Sequence, residues 1–174
     1  MTVFTKLRRE IEPKWVSEYV AKFYPDFPVR FRVPLGAVPK ELEKEHGLWK
    51  AIRTWRPWRP EVDAIVIRPG ELTLIEGKIF KTMDGLSKLP VYASLVPETP
   101  ELESYRSYKV AMQLLCVHAL DWIKQAAKKS GIEVVEWAPT WVEEIWLERD
   151  KYWTPEAVSL RERRKEVLRR LGFE

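Results

Sequence analysis

Asparagine is absent from this chain of 174 residues, and glutamine, histidine and cysteine number only two, two and one. A single cysteine, Cys116, excludes an intrachain disulfide and a cysteine-rich zinc site; set in an apolar run, it reads as a core residue. His46 and His118 have no second histidine or cysteine at ligand spacing, so they read as a surface and a structural histidine. No apolar stretch approaches the roughly twenty residues of a membrane span, and the N-terminal stretch has no signal-peptide core. A cytoplasmic protein with no membrane partner is the expectation. With only seven glycines there is no phosphate-binding glycine loop and no G-x-S-x-G elbow, which argues against nucleotide hydrolases and serine hydrolases. The missing amides, beside thirteen prolines and 32% charged residues, point to a thermophile as the source.

What is present is enough for a core. Hydrophobic residues make up 45% of the chain and nine are tryptophan, so the length implies one globular domain over 1–174. A formal charge of +4, from 30 basic and 26 acidic residues, mildly favours an anionic partner, but most of that charge is an interspersed surface.

The most informative stretch is Glu61 to Ile79, EVDAIVIRPGELTLIEGKI. Two apolar runs flank Pro69-Gly70, where proline fixes φ at one corner and glycine accepts the positive φ of the next, predicting a β-hairpin. A two-residue loop sets Ile67 opposite Leu72, Ile65 opposite Leu74 and Asp63 opposite Glu76. A glycine bulge at the corner would shift that register by one. Lys78 shares a face with Glu76 by the strand period of two. Two acids and an ammonium thus end an apolar face, a costly arrangement unless they pair or bind an ion.

At these residues the chain resembles the PD-(D/E)XK, or restriction-endonuclease-like, nuclease superfamily. Val62-Asp63 stands where the family has Pro-Asp, and Glu76-Gly77-Lys78 supplies the E-x-K. Downstream, DGLSKLPVYASLV (Asp84 to Val96) followed by PETPEL looks like the helix after that strand in RecB-like and virus-encoded members, with Lys88 and Tyr92 at the positions of a Q-x-x-x-Y motif. Lysine replaces glutamine there. The resemblance covers about residues 5–145 and implies an α/β fold with an αβββαβ core, a central mixed sheet flanked by helices, and a C-terminal helical extension over about 140–174. It also implies a catalytic triad of Asp63, Glu76 and Lys78, the Gly77 carbonyl as a further metal ligand beside Asp63 and Glu76, and a glutamate from the first helix, Glu12 or Glu18. A virus-encoded protein would act in the host cytoplasm.

Along the rest of the chain, Lys6 to Phe23 has the spacing of an amphipathic helix, beginning near Glu12 with Pro13 at its first position. Val29 to Leu35 alternates as a half-solvated strand, and Val38 to Trp49 reads as a charged surface helix. Lys50 to Pro60, KAIRTWRPWRP, interleaves Lys50, Arg53, Arg56 and Arg59 with Trp55 and Trp58 just before Asp63. Guanidinium groups pair with phosphates and indoles stack on bases, so this is the nucleic-acid-binding candidate; a proline-stiffened loop whose tryptophans cover the core is the other reading. Tyr108 to Val117, Asp121 to Ser130 and Ile132 to Trp137 read as a strand, helix and strand, a parallel βαβ unit. Thr140 to Asp150 and Pro155 to Leu171 read as helices, the second with a run of arginines along a solvated face.

Hard oxygen ligands from Asp63 and Glu76 suit Mg²⁺ or Mn²⁺ and not zinc. The expected function is a metal-dependent nuclease hydrolysing phosphodiester bonds, in DNA; a homodimer would supply the paired sites needed to cut both strands. The alternative is a catalytically inactive protein of the same fold that binds nucleic acid or a protein partner.

Overall fold

The computed structural model describes residues 3–151, 155–170 and 172. Five strands form one mixed sheet in the spatial order β1 (Val29–Pro34), β2 (Glu61–Arg68), β3 (Glu71–Lys78), β4 (Lys109–Cys116) and β5 (Ile132–Glu136). The first two pairings are antiparallel and the last two parallel. Helix α1 (Val3–Phe23) packs on β2 and β3, while α4 (Thr82–Leu95) packs on β3 and β4, and α5 (Asp121–Lys129) on β5. The order α1, β1, β2, β3, α4, β4 therefore contains the αβββαβ core, with α2 (Lys40–His46) and α3 (Leu48–Trp55) inserted between β1 and β2. β4, α5 and β5 form the parallel βαβ unit.

The chain divides into two compact units, Met1–Trp137 and Ala138–Glu174, where the sequence leads one to expect a single domain with a helical extension. The second unit contains α6 (Thr140–Lys151) and α7 (Pro155–Arg170); Leu171, expected to close α7, lies outside the described residues. Much of the basic charge of α7 is matched within its own turns, by Lys165 with Glu162 and by Arg169 and Arg170 with Glu166.

The hairpin is the centre of the first unit. Gly70 has φ +75, as the proline-glycine corner requires, and Arg68 pairs with Glu71 on either side of it. Ile67 faces Leu72 and Ile65 faces Leu74, but the ladder ends at Ala64 with Ile75, one pair short of Asp63 and Glu76. Both strands are buried over most of their length because each has a helix above it, on one face or the other.

Three stretches differ from the sequence reading. Helix α1 begins at Val3, not near Glu12, and Pro13 lies inside it. The turns before Pro13 are rich in good helix formers, which sustain the helix across one missing N–H bond. The helix expected over 38–49 is split into α2 and α3 at Gly47, whose φ of +76 ends one helix and starts the next. The stretch over 50–60, for which a proline-stiffened loop is one of the two sequence readings, continues α3 to Trp55 and then forms a short 3₁₀ turn, Arg56–Trp58.

Cys116 ends β4 fully buried. Burial, with the Glu136 carboxylate nearby, pushes its thiol up to about 12. At pH 8 roughly one molecule in ten thousand would carry the thiolate in the closed fold. Reaction with a colorimetric disulfide reagent at pH 8 is therefore expected to be slow in the native protein and fast and stoichiometric in denaturant; equal rates in both would refute the burial.

Candidate active site

Lys78, the last residue of β3, gathers the site around itself. Its Nζ lies 2.9 Å from Glu76 Oε1, 2.9 Å from the Gly77 carbonyl, 3.5 Å from Glu12 Oε2 and 4.0 Å from Asp63 Oδ2. The carboxylates of Asp63 and Glu76 are thus never further apart than the two distances to Nζ combined. Asp63 is fixed by the Gly77 N–H, which donates to Oδ2 at 2.9 Å. That bond explains why the ladder stops early: the side chain of Asp63 takes the hydrogen bond across the hairpin. Glu12 reaches over from α1, its Oε1 accepting from the Ile79 N–H at 3.2 Å.

Two glycines let the helices come close enough for this. A Cβ on Gly77 would stand 2.5 Å from Val16 Cγ2 and 3.7 Å from the Trp15 ring, so the absent side chain is what seats α1 on β3. On the other face a Cβ on Gly85 of α4 would stand 2.5 Å from Leu114 Cδ1, 3.2 Å from Lys78 Cγ and 3.4 Å from Glu76 Cγ. Helix α4 then brings up Lys88, whose Nζ is 3.5 Å from Glu76 Oε1, and Tyr92, four residues on along the same helix.

Burial dominates the electrostatics. Glu76 is only 2% exposed, and burial raises its carboxyl above the ordinary range, a shift that the Asp63 charge reinforces and that Lys78 and Lys88 oppose. Burial pulls Lys78 the other way, but Glu76, Asp63 and Glu12 outweigh it and hold the ammonium well above an ordinary lysine. Lys78 is therefore a cation, not a base, in this state. Tyr92 is held above the ordinary tyrosine range by burial and then by the charges of Glu76 and Asp63. Three carboxylates face two ammonium groups, leaving the site negative.

The divalent ion expected from the sequence can be tested for fit at one atom. Glu76 Oε2 is buried and has no hydrogen-bond partner, an acceptor aimed at nothing among the described residues. Among those residues no three His, Cys, Asp or Glu side chains are gathered tightly enough to hold a metal by themselves. The carboxylates are instead gathered around the Lys78 ammonium, which acts as their cation. The donor set of Asp63, Glu76, Glu12 and the Gly77 carbonyl is all hard oxygen and fits Mg²⁺ or Mn²⁺.

The other candidates from the sequence fall elsewhere. Glu18 pairs with Lys14 one turn along α1, at 3.9 Å, and is absent from the cluster; of the two helix glutamates it is Glu12 that the structure brings in. Lys50 and Arg53 lie exposed on α3. Trp55 and Trp58 stack on each other with ring centres 5.1 Å apart, and Trp58 is 66% exposed. Arg56 bonds Glu61 at 2.9 Å and the Arg32 carbonyl at 2.9 Å. Arg59 corrects the surface reading: it is buried, bonds both oxygens of Glu101 at 2.7 Å and the Pro34 carbonyl at 3.0 Å, and belongs to the fold. Glu61 and Arg32 were missed; their signal was the acid two residues before Asp63 and the basic strand that pairs with it.

No protein-family model matches the sequence, and no curated protein matches it. Among solved structures the chain is similar to a repair endonuclease from Pyrococcus abyssi, at 16% identity over 72% of this chain and 46% of that one, with a TM-score of 0.47. It is also similar to a protein of unknown function, at 15% identity over 80% of this chain and 67% of that one, again with a TM-score of 0.47. The chain spans about half the length of the first. The chemistry of the site rests on its own residues.

The tight seat of α1 on β3 gives a stability test. Gly77→Ala is expected to destabilise the fold by about 1–3 kcal/mol, the usual scale of overpacking, and Val16→Ala in the same chain to recover part of it. Chemical denaturation of the two single variants and the double variant measures the coupling; strictly additive losses would mean that Gly77 and Val16 do not meet.

Proposed function

We propose that the protein is a Mg²⁺- or Mn²⁺-dependent nuclease of the PD-(D/E)XK class, acting on DNA. The observation that carries this reading is the convergence of Asp63, Glu76, Glu12 and the Gly77 carbonyl around Lys78, with a buried carboxylate oxygen of Glu76 left without a partner. A buried acid, Glu76, flanked by two half-buried ones, Asp63 and Glu12, would weaken a fold that had no use for them, unless a cation offsets their charge.

Asp63, Glu76, Glu12 and the Gly77 carbonyl would hold the ion. When bound, it supplies charge neutralisation at phosphorus and an acidified water. The protein's own part is positioning and charge. Asp63 is kept in place by the Gly77 N–H, and Glu76 by packing under α4. Lys78 stands where it can orient the attacking water or stabilise negative charge on the phosphate oxygens. Lys88 stands beside Glu76 in the position the resemblance gives to glutamine, and adds a second positive charge to the pocket. Lys50, Arg53, Arg56 and the stacked Trp55 and Trp58 would carry the neighbouring nucleic acid, whereas Arg59 is committed to Glu101.

The test combines binding and cleavage. A ligand that binds only the folded state raises its stability, so Mg²⁺ or Mn²⁺ is expected to raise the Tm of the parent and not of Asp63→Ala or Glu76→Ala. Lys78→Met keeps the stem and removes the charge; it is expected to keep the metal-induced shift while cleavage falls by about two to four orders of magnitude. Supercoiled, linear, single-stranded and branched DNA serve as substrates, with chelator as control. Parental cleavage by Lys78→Met would sink the assigned chemistry, and a parent that cleaves no nucleic acid with either ion would leave the binding-only reading.

A further inference from the structure

Beside the carboxylate cluster, the edge strand β1 holds a backbone conformation that its residue disfavours. Arg32 has φ +51, the only positive φ at a non-glycine residue among those described. Phe31 pairs with Ala64 and Val33 with Val62, so Arg32 stands opposite Asp63 in the register without joining the ladder. Its carbonyl turns instead to Arg56, accepting from Nη2 at 2.9 Å.

One carboxylate then holds two guanidinium groups. Glu61, two residues before Asp63 on β2, takes Arg56 at 2.8 Å on Oε1 and Arg32 at 3.3 Å on Oε2. Both arginine side chains remain largely in solvent, Arg32 with 69% of its side chain exposed and Arg56 with 50%. Nε and Nη1 of Arg32 and Nη1 of Arg56 have no partner among the described residues. Since β1 is the edge of the sheet, no further strand covers them.

We propose that Arg32 and Arg56, held together on Glu61, are a phosphate clamp that seats a DNA backbone against the flank of the carboxylate site. This rests on reading that site as a nuclease. Guanidinium groups present forked donors that match phosphate oxygens, and two of them beside one carboxylate leave a net positive charge. The adjoining site is negative and repels a phosphodiester, so a cationic anchor next to Asp63 offsets that repulsion where the strand must approach. Trp58 follows Arg56 after one residue and exposes an indole on which a base can stack, which selects nucleic acid over an acidic peptide. The positive φ serves the clamp: it turns the Arg32 carbonyl to Arg56 and fixes the two side chains relative to each other.

Arg32→Gly separates the clamp from the fold, because glycine accepts positive φ freely. Fluorescence anisotropy of the full chain with a short labelled DNA duplex and with its single strand, in chelator and over a salt series, measures binding without cleavage; thermal denaturation measures the fold. The variant is expected to keep a Tm at or above the parent's while its DNA affinity at low salt falls about tenfold and the salt slope loses about one unit, the signature of one lost phosphate contact. Arg56→Lys, which keeps charge but not the fork, is expected to weaken binding less. Parental affinity and slope in Arg32→Gly would overturn the clamp, as would a parent that shows no salt-dependent DNA binding. Cleavage by the same preparations keeps the two readings apart: a parent that cleaves, with an unchanged slope in Arg32→Gly, removes the clamp alone, and a reduced slope in a chain that cleaves nothing keeps the clamp and removes hydrolysis.

Discussion

The ion pair between Lys78 and the buried Glu76 is the interaction on which the rest of the first unit is arranged. Removing a carboxylate from water costs several kcal/mol unless a cation and hydrogen bonds replace its hydration, and here the ammonium supplies the cation at 2.9 Å. Bringing Lys78 to that place requires both helices. Helix α1 approaches because Gly77 has no side chain, and it delivers Glu12; α4 approaches because Gly85 has none, and it delivers Lys88 and Tyr92. Packing and charge are therefore one problem: moving α4 outward would hydrate Glu76, and moving α1 outward would withdraw Glu12 from Lys78. Around the buried Glu76 and Lys78 the electrostatic contacts are stronger than they would be in water.

Sequence reasoning reached the strands more securely than the helices, for a physical reason. A hairpin announces itself locally, through its turn residues and a strict period of two, and the pairs Ile67 with Leu72 and Ile65 with Leu74 follow from that local rule. The same rule set Asp63 against Glu76, one pair beyond the point where the ladder ends. A carboxylate can itself take the Gly77 N–H, so side-chain chemistry replaced backbone pairing at Asp63. Proline had the opposite effect at α1. Read as a start signal, Pro13 hid ten helical residues before it and left Glu12 and Glu18 indistinguishable. Only the tertiary contact of α1 with the end of β3 separates them.

Long-range partners were not legible at all. Arg59 looks like its neighbours Arg53 and Arg56, but Glu101, 42 positions away, takes it into the fold. No pattern within a window of 50–60 carries that information. Arg56 differs because its partner Glu61 is five residues away and Arg56 itself is half in solvent, so the pair stays at the surface. The split of a basic stretch into one structural arginine and several surface ones is thus decided by where an acid lies in three dimensions.

The charge pattern across the front of the sheet follows from these placements. At the end of β3 carboxylates outnumber ammonium groups, whereas two strands over, at the edge, arginines outnumber the single Glu61. An anionic polymer meeting this surface is drawn by the edge and repelled by the centre until a cation joins the carboxylates. On the proposed reading, docking and metal loading would be coupled through simple charge balance: each added positive charge at the centre would lower the cost of bringing a phosphate there, and each phosphate brought there would raise the affinity of the carboxylates for a cation, as linkage requires. On that reading the edge would supply attraction that does not depend on the metal, and the centre would supply attraction only when loaded. That division makes the strained residue of β1 part of the same device as the acids of β2 and β3, because the backbone turn at Arg32 lies opposite Asp63 and sets the distance between the two fields.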